Sequence, residues 1–456
     1  MSIFTPSMAT DISPVSSRTP TSSITVVAAA SFVGTAIEWY DFFLYGTSAV
    51  LVFPKLFFPA SDPIVGTLLA LATFAAGFLA RPLGAIVFGH YGDRLGRKAM
   101  LSLTLWIMGV ATFAIGVLPT YASIGIAAPI LLVALRLLQG FGLGGEWGGA
   151  VLLAAEHAPA HRRGLYAALP QVGAAAGSLV ANGVFFLSGK LTSAGQFAEW
   201  AWRIPFLFSV LLVGVGTFIR LRVAETPAFE AVKQHSAARM PLIEVLRTHK
   251  RSVLLAMGAR LAENVFFYIY TVTVLSYVTV RTGLAKDVVL RGVLVAMGID
   301  LVAIPMFGAL SDKLGRRPVY LFGAIFSALF VGPFFLLVDT GQPVLVGLAI
   351  ALAVCVGHAA MYGPQASFFS ELFGAKVRYT GASLGYQLAS VLGGGLAPLI
   401  ATALFAWTHG VPTADSPQPA RFGWWAVALY MIGFAVATTV AVLAAAETQQ
   451  RRLDEA

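Results

Sequence analysis

Gly89-His90-Tyr91-Gly92-Asp93-Arg94-Leu95-Gly96-Arg97-Lys98 is a dense knot of charge between two long apolar runs, in a chain that is only 11% charged. It returns as Gly308-Ala309-Leu310-Ser311-Asp312-Lys313-Leu314-Gly315-Arg316-Arg317. The order in both is Gly, three residues, Asp, a base, one residue, Gly, two bases. The second copy lies about 220 residues after the first, close to half of the chain. A second pattern repeats at nearly the same offset: Glu156 precedes Arg163 by the same spacing as Glu371 precedes Arg378. Two charged motifs at one offset read as two homologous halves.

Outside these knots the chain is apolar. It has 456 residues, 58% of them hydrophobic, with 33 Phe and 46 Gly. A water-soluble domain is about a quarter charged. Apolar runs of about 20 residues, each long enough to cross a bilayer, recur a dozen times. We place them near 25–52, 64–89, 99–118, 128–156, 164–188 and 203–222, then 252–280, 288–310, 318–338, 343–370, 379–406 and 422–446. The fold class expected is an all-α membrane protein with twelve transmembrane helices in two six-helix bundles, 25–222 and 252–446. Residues 1–24 read as a Ser/Thr/Pro-rich disordered tail. Residues 223–251 read as a cytoplasmic connector in which 238–249 forms a short surface helix or a plain linker, and 447–456 as a second tail. With the N-terminus inside, about three bases fall on the inner side for each on the outer, which places both termini in the cytoplasm. The net charge of +9 is then a matter of topology and not of nucleic-acid binding. The single cysteine, Cys355, excludes a disulfide framework.

Twelve spans in two halves, with Gly-x-x-x-Asp-Arg-x-Gly-Arg-Lys after the second, resemble the major facilitator superfamily. Further stretches resemble its metabolite:proton symporter family: Glu38-Trp39-Tyr40-Asp41-Phe42-Phe43-Leu44-Tyr45-Gly46, Arg81-Pro82-Leu83-Gly84, the run from Arg136 to Gly149, Trp202-Arg203-Ile204-Pro205-Phe206 and Glu225-Thr226-Pro227-Ala228-Phe229. The resemblance implies proton-coupled uptake of a small polar metabolite across the cytoplasmic membrane. It points to an organic acid such as 2-oxoglutarate, citrate or shikimate, or a zwitterion such as proline or betaine. It also implies function as a monomer with no cofactor, and partners limited to substrate, protons and lipid.

Ionisable side chains inside a span are expensive and normally paired or turned toward a wet cavity. Glu38 and Asp41 share a helix face, at roughly 20–24 Å along span one. Arg136 in span four lies at comparable depth, and the resemblance implies a proton-coupling pair of Asp41 with Arg136. A static salt bridge is the structural alternative. Arg81 and Arg260 are candidates for a substrate carboxylate, with Gln139 and Asn264 as polar neighbours. Arg260 has Glu263 at i+3, so an intrahelical pair competes with that role. A quaternary ammonium substrate would instead need an aromatic cage, for which Trp39, Tyr40, Phe266, Phe267, Tyr268 and Tyr270 are placed. Asp300 and His358 are weaker candidates. The glycines of span four read as close helix packing, and the Glu146 among them needs a partner, expected from span one or a cytoplasmic loop.

The repeated charges are expected to form a cytoplasmic gate of two twin networks: Asp93, Arg94, Arg97, Glu156 and Arg163 in the first half, Asp312, Arg316, Glu371 and Arg378 in the second. Metal-site and hydrolase motifs are absent from the sequence, which argues against an enzyme. An exchanger or a sensor of the same fold remains the alternative.

Overall fold

In the computed structural model the described residues are 24–59, 63–95, 97–222, 245, 247–374, 378–409, 423–449 and 451. The anticipated first tail and most of the connector lie outside them. Twelve helical spans follow one another. The first six are Ile24–Leu51, Pro63–Leu95, Arg97–Val117, Ala127–Leu143 continued by Trp147–His157, Arg163–Leu191 and Ile204–Arg222. The second six are Lys250–Tyr268 continued by Val274–Thr282, Lys286–Leu314, Arg316–Asp339, Pro343–Leu352 continued by Ala359–Leu372, Arg378–Ala389 continued by Leu396–His409, and Trp425–Ala444. Large apolar side chains face outward, among them Leu83, Val302, Leu329 and Val344, each more than 60% exposed. So much exposed apolar surface is foreign to a water-soluble monomer and suits lipid.

The repeated glycine has a backbone reason. Gly315 sits between spans eight and nine with φ at 101°, a region that L side chains avoid. It lets two helices meet in a one-residue joint, which fixes the charged residues on either side. Glycine also sets how closely spans two and four approach. A Cβ on Gly140 would overlap the Gly77 carbonyl, and one on Gly77 would lie 2.6 Å from the Arg136 guanidinium. These two glycines therefore make the room in which Arg136 is buried.

The two bundles meet along a seam. Spans five and eight cross near Gly164 and Gly308, where a Cβ on Gly308 would stand 2.7 Å from Ala168. Spans two and eleven meet where Phe78 packs on Gly394 and Gly395. The second bundle carries three wide π-helical turns, Ile269–Thr273, Ala353–His358 and Ser390–Gly395. Such turns shift the side-chain register by one residue and gather at functional sites. Here they adjoin Tyr268, His358 and Ser390.

Candidate functional site

On the first-bundle side of the seam, Arg136 is 1% exposed. Its guanidinium lies over Phe42, Tyr45 and Phe74, 4.5, 4.3 and 5.0 Å from the ring centroids. A desolvated cation over several ring faces gains about 2 kcal/mol, less than the several kcal/mol that burying the charge costs. Nη1 donates to Gln139 Oε1 at 3.1 Å, and Gln139 Nε2 donates to the Thr112 hydroxyl at 2.6 Å. Asp41, 2% exposed, lies beside that hydroxyl. A direct Asp41–Arg136 ion pair was expected from their depths. Among the described residues none forms; Gln139 and Thr112 stand between them, and Asp41 Oδ1 accepts no hydrogen bond. Equal depth fixes height along the bundle but not the angle around each helix, and a third span supplies the bridge.

Arg81 is 2% exposed and lies 4.3 Å over Phe42 and 4.0 Å over Phe78. Its Nε and Nη2 have no hydrogen-bond partner among the described residues. Tyr268 and Tyr386 of the second bundle face it, with Arg260 nearby. Trp39 packs on Phe43 and reaches Phe267 across the seam. Glu38, next to Trp39 in the chain, is buried as well. Tyr40, grouped with Trp39 as a substrate contact, is placed elsewhere. Its hydroxyl donates to the Pro205 carbonyl at 2.5 Å and its ring packs on Phe208 of span six. One residue is about 100° around a helix, enough to take it off the seam.

On the second-bundle side, Arg260 is held on several sides. Nη1 bonds Glu263 at 2.8 Å and Gln365 at 2.5 Å, Nε bonds Ser390 at 3.2 Å, and the guanidinium lies 3.3 Å over Tyr386. Asn264 donates to the same Ser390 hydroxyl. The i+3 pair that competed with a substrate role is therefore formed, although Arg260 still borders the seam. Glu263 also meets His358, and His358 faces Asp300. Each of these residues is visible in the sequence as an ionisable group in an apolar span; their convergence from three spans is not. Gln365, Ser390 and Tyr386 carry no sequence signal beyond polarity or aromaticity, whereas Trp147, which stacks on Tyr386 at 3.7 Å, lies in the run from Arg136 to Gly149 quoted above. Glu146 receives a hydrogen bond from Thr104 of span three.

The charged ends of the spans hold the bundles together, but in a different pairing from the twin networks expected. Glu371 of the second half pairs with Arg163 of the first at 3.1 Å, and Glu156 of the first half pairs with Arg378 of the second at 3.6 Å. The repeated Glu–Arg motifs thus exchange partners across the seam. Within the second half Arg316 joins Asp312 at 2.8 Å and Glu371 at 3.3 Å. Asp312 also accepts the backbone N–H groups of Gly164 and Leu165 at 2.7 and 2.9 Å. A carboxylate at a helix N-terminus satisfies otherwise orphaned donors and meets the positive end of the helix dipole. The side chains of Asp93, Arg94 and Arg97 lie outside those described. Beyond span twelve, Glu447 accepts N–H bonds from Arg316, Arg317, Thr448 and Gln449. Burial alone would raise its pKa, but the four donors hold it below the ordinary glutamate value. At the opposite end a single ion pair joins the bundles among the described residues, Lys190 to Asp287 at 3.0 Å.

Residues 31–398 match the Major Facilitator Superfamily model. The shikimate transporter of Escherichia coli is 42% identical over 93% of this chain and 94% of its own length. The inner membrane metabolite transport protein YhjE of the same organism is 43% identical over 95% and 97%. A proline/betaine transporter of Salmonella typhimurium is 36% identical over 82% and 76%. Among solved structures, the proton:xylose symporter XylE superposes with a TM-score of 0.71 at 17% identity, over 95% of this chain and 98% of that one; this likeness concerns the fold alone.

Proposed function

The chain belongs to the major facilitator superfamily, and from that premise we propose that it imports a small organic anion of the shikimate or di- and tricarboxylate type, driven by protons, across the cytoplasmic membrane. The observation that carries this reading is the Arg81 guanidinium, buried at the seam with two nitrogens that have no hydrogen-bond partner among the described residues. A planar fork of that kind matches a carboxylate, which would satisfy both donors at once. Arg136 adds positive charge near it, and Arg260, already paired with Glu263, borders the same space. A zwitterionic osmolyte fits less well: of the rings named for a cage, Tyr40 is off the seam, Phe267 stacks on His358, and Phe266 and Tyr270 pack on one another, which leaves Trp39 and Tyr268.

Proton coupling is assigned to Asp41. With Asp41 ionised, the Thr112 hydroxyl turns its single proton from the Met108 carbonyl to the carboxylate, and through Gln139 this relay holds Arg136 in place. Protonation of Asp41 weakens that hold and frees Arg136 to assist the anion. Release of the proton at the cytoplasmic face restores the relay and expels the anion. Glu38 is placed to share the proton. The charged end carrying Asp312, Glu371 and their partners is the cytoplasmic gate, closed here, with both termini on that side and the monomer as the working unit.

A thermal-shift screen of the purified protein tests the substrate class, since a ligand stabilises the state that it binds. Shikimate or a di- or tricarboxylate should raise Tm in wild type and not in Arg81→Gln. Stabilisation by proline or betaine alone would overturn the anion reading.

A further inference from the structure

The second bundle contains a set of charged groups for which the coupling scheme above has no use. Arg260 and Glu263 of span seven, Asp300 of span eight and His358 of span ten are each at most 2% exposed. His358 Nε2 lies 3.2 Å from Glu263 Oε1, and its Nδ1 lies 3.6 Å from Asp300 Oδ2. Neither Asp300 oxygen has a hydrogen-bond partner among the described residues, and nor has His358 Nδ1. The ring is clamped between Phe267 at 4.2 Å and Tyr362 at 4.9 Å, so it cannot turn away from either carboxylate.

We propose that Glu263, His358 and Asp300 form a proton site separate from Asp41, with the His358 imidazole as the carrier of one labile proton between two buried carboxylates. Charge counting supports it. Arg260 balances one carboxylate, so a neutral His358 leaves the cluster at a net charge of −1 in the apolar interior, whereas an imidazolium brings it to zero. An uncompensated buried charge costs several kcal/mol. Hydrogen-bond valence supports it separately. A carboxylate only accepts, a neutral imidazole has one N–H, and only the imidazolium donates from both nitrogens. The step is a simple protonation: the bond formed is Nδ1–H on His358, with the proton taken from water when the seam opens and returned to water on release. Arg81 stands near Arg260, but the charged groups that act on His358 and Asp300 themselves are one another and Glu263. The remaining titratable neighbours are Tyr268 near Arg260 and Glu263, Tyr320, reached through Gln365, Tyr362, Tyr386 over Arg260, and the Cys355 thiol, which donates to the Ala296 carbonyl.

The site also has a route to the substrate, a point that rests on the anion reading above. An anion that draws Arg260 toward the seam weakens its hold on Glu263. The cluster then binds its proton more tightly, and by linkage the proton favours the anion in return.

The test uses 15N-histidine NMR of the full-length protein in lipid nanodiscs without substrate, with the His358 signal assigned by its loss in His358→Gln. At pH 7.5 both ring nitrogens should be protonated in wild type. In Asp300→Asn, which removes the unbalanced charge, the ring should carry one proton only. Titration of wild type to pH 10 should convert the ring to its neutral form in one step, a readout that survives if the variant does not fold. A singly protonated ring at pH 7.5 would overturn the proposal. So would a ring that keeps both protons throughout, which marks a fixed ion pair. Adding shikimate should move the conversion to higher pH. Binding with no such movement would overturn the link to substrate while the proton site stands, and no binding would count against the anion reading alone.

Discussion

Replacing Glu371 with Gln tests the crossed gate most sharply. Glu371 is fully buried and meets Arg163 at 3.1 Å, Arg316 at 3.3 Å and the Thr448 hydroxyl at 2.6 Å. Gln keeps the shape and removes the charge. Arg316 retains Asp312, whereas among the described residues Arg163 retains the Arg451 carbonyl alone. Removing one partner of a buried pair costs roughly 3–5 kcal/mol, and the retained contacts put this case near the lower end. Screening by water discounts little of this, because the side chains are 0–7% exposed. A loss of about 3 kcal/mol falls on the closed state only and shifts the closed-to-open ratio by about two decades. Spin labels at Ala160 and Lys313, on opposite bundles at the charged end, read that ratio in a Cys355→Ser background. The double-mutant cycle is the stricter test. Glu371→Gln and Arg163→Gln should couple by about 2 kcal/mol, whereas Glu371→Gln and Arg378→Gln, which share no ion pair, should couple by less. Coupling to Arg378 and not to Arg163 would refute the exchange of partners and restore the pairing within each half.

The Glu156–Arg378 pair is longer, and Glu156 is 24% exposed, so Glu156→Gln should shift the same ratio by no more than about 1 kcal/mol in the spin-label assay. Asp41→Asn should abolish uphill uptake driven by a pH gradient while substrate exchange survives; Glu38→Gln, run beside it, shows whether the proton resides on Asp41. Gly140→Ala should lower Tm by several degrees, because the new methyl meets the Gly77 backbone and not a movable side chain. Glu447, with its pKa held down in the folded state, contributes stability in full above the ordinary glutamate value and loses it as pH falls through the lowered one. Acid should therefore loosen the start of span nine, read by hydrogen exchange at Arg316 and Arg317, and Glu447→Gln should remove that pH dependence.

The architecture was legible in the sequence because its signals are local or periodic. Span length reads directly as apolar run length, and the repeated Asp–base–x–Gly motif announces two halves. Gly315 shows why the motif needs its second glycine, since the joint between two spans requires a positive φ. Partner choice was not legible in the same way. Repeats give Glu156 and Glu371 equivalent roles, but spacing is silent on whether each takes the arginine of its own half or of the other. Asp41 and Arg136 were matched in depth, while the angular offset that admits Gln139 and Thr112 depends on how spans one, three and four are rotated. Tyr40 fell off the seam for the same reason. The convergence of Glu263, Asp300 and His358 was hidden further by the wide turn at Ala353–His358, which breaks the 3.6-residue register that a helical reading assumes.

The central claim is that a proton gradient drives an anion through the seam past Arg81. Proteoliposomes holding the purified protein and an internal pH dye, given radiolabelled shikimate with and without an inward proton gradient, test it directly. The account predicts accumulation above the external concentration only with the gradient, acidification of the lumen that depends on substrate, and loss of both in Arg81→Gln. Equal uptake with and without the gradient, or uphill uptake by Arg81→Gln at the wild-type rate, would contradict it.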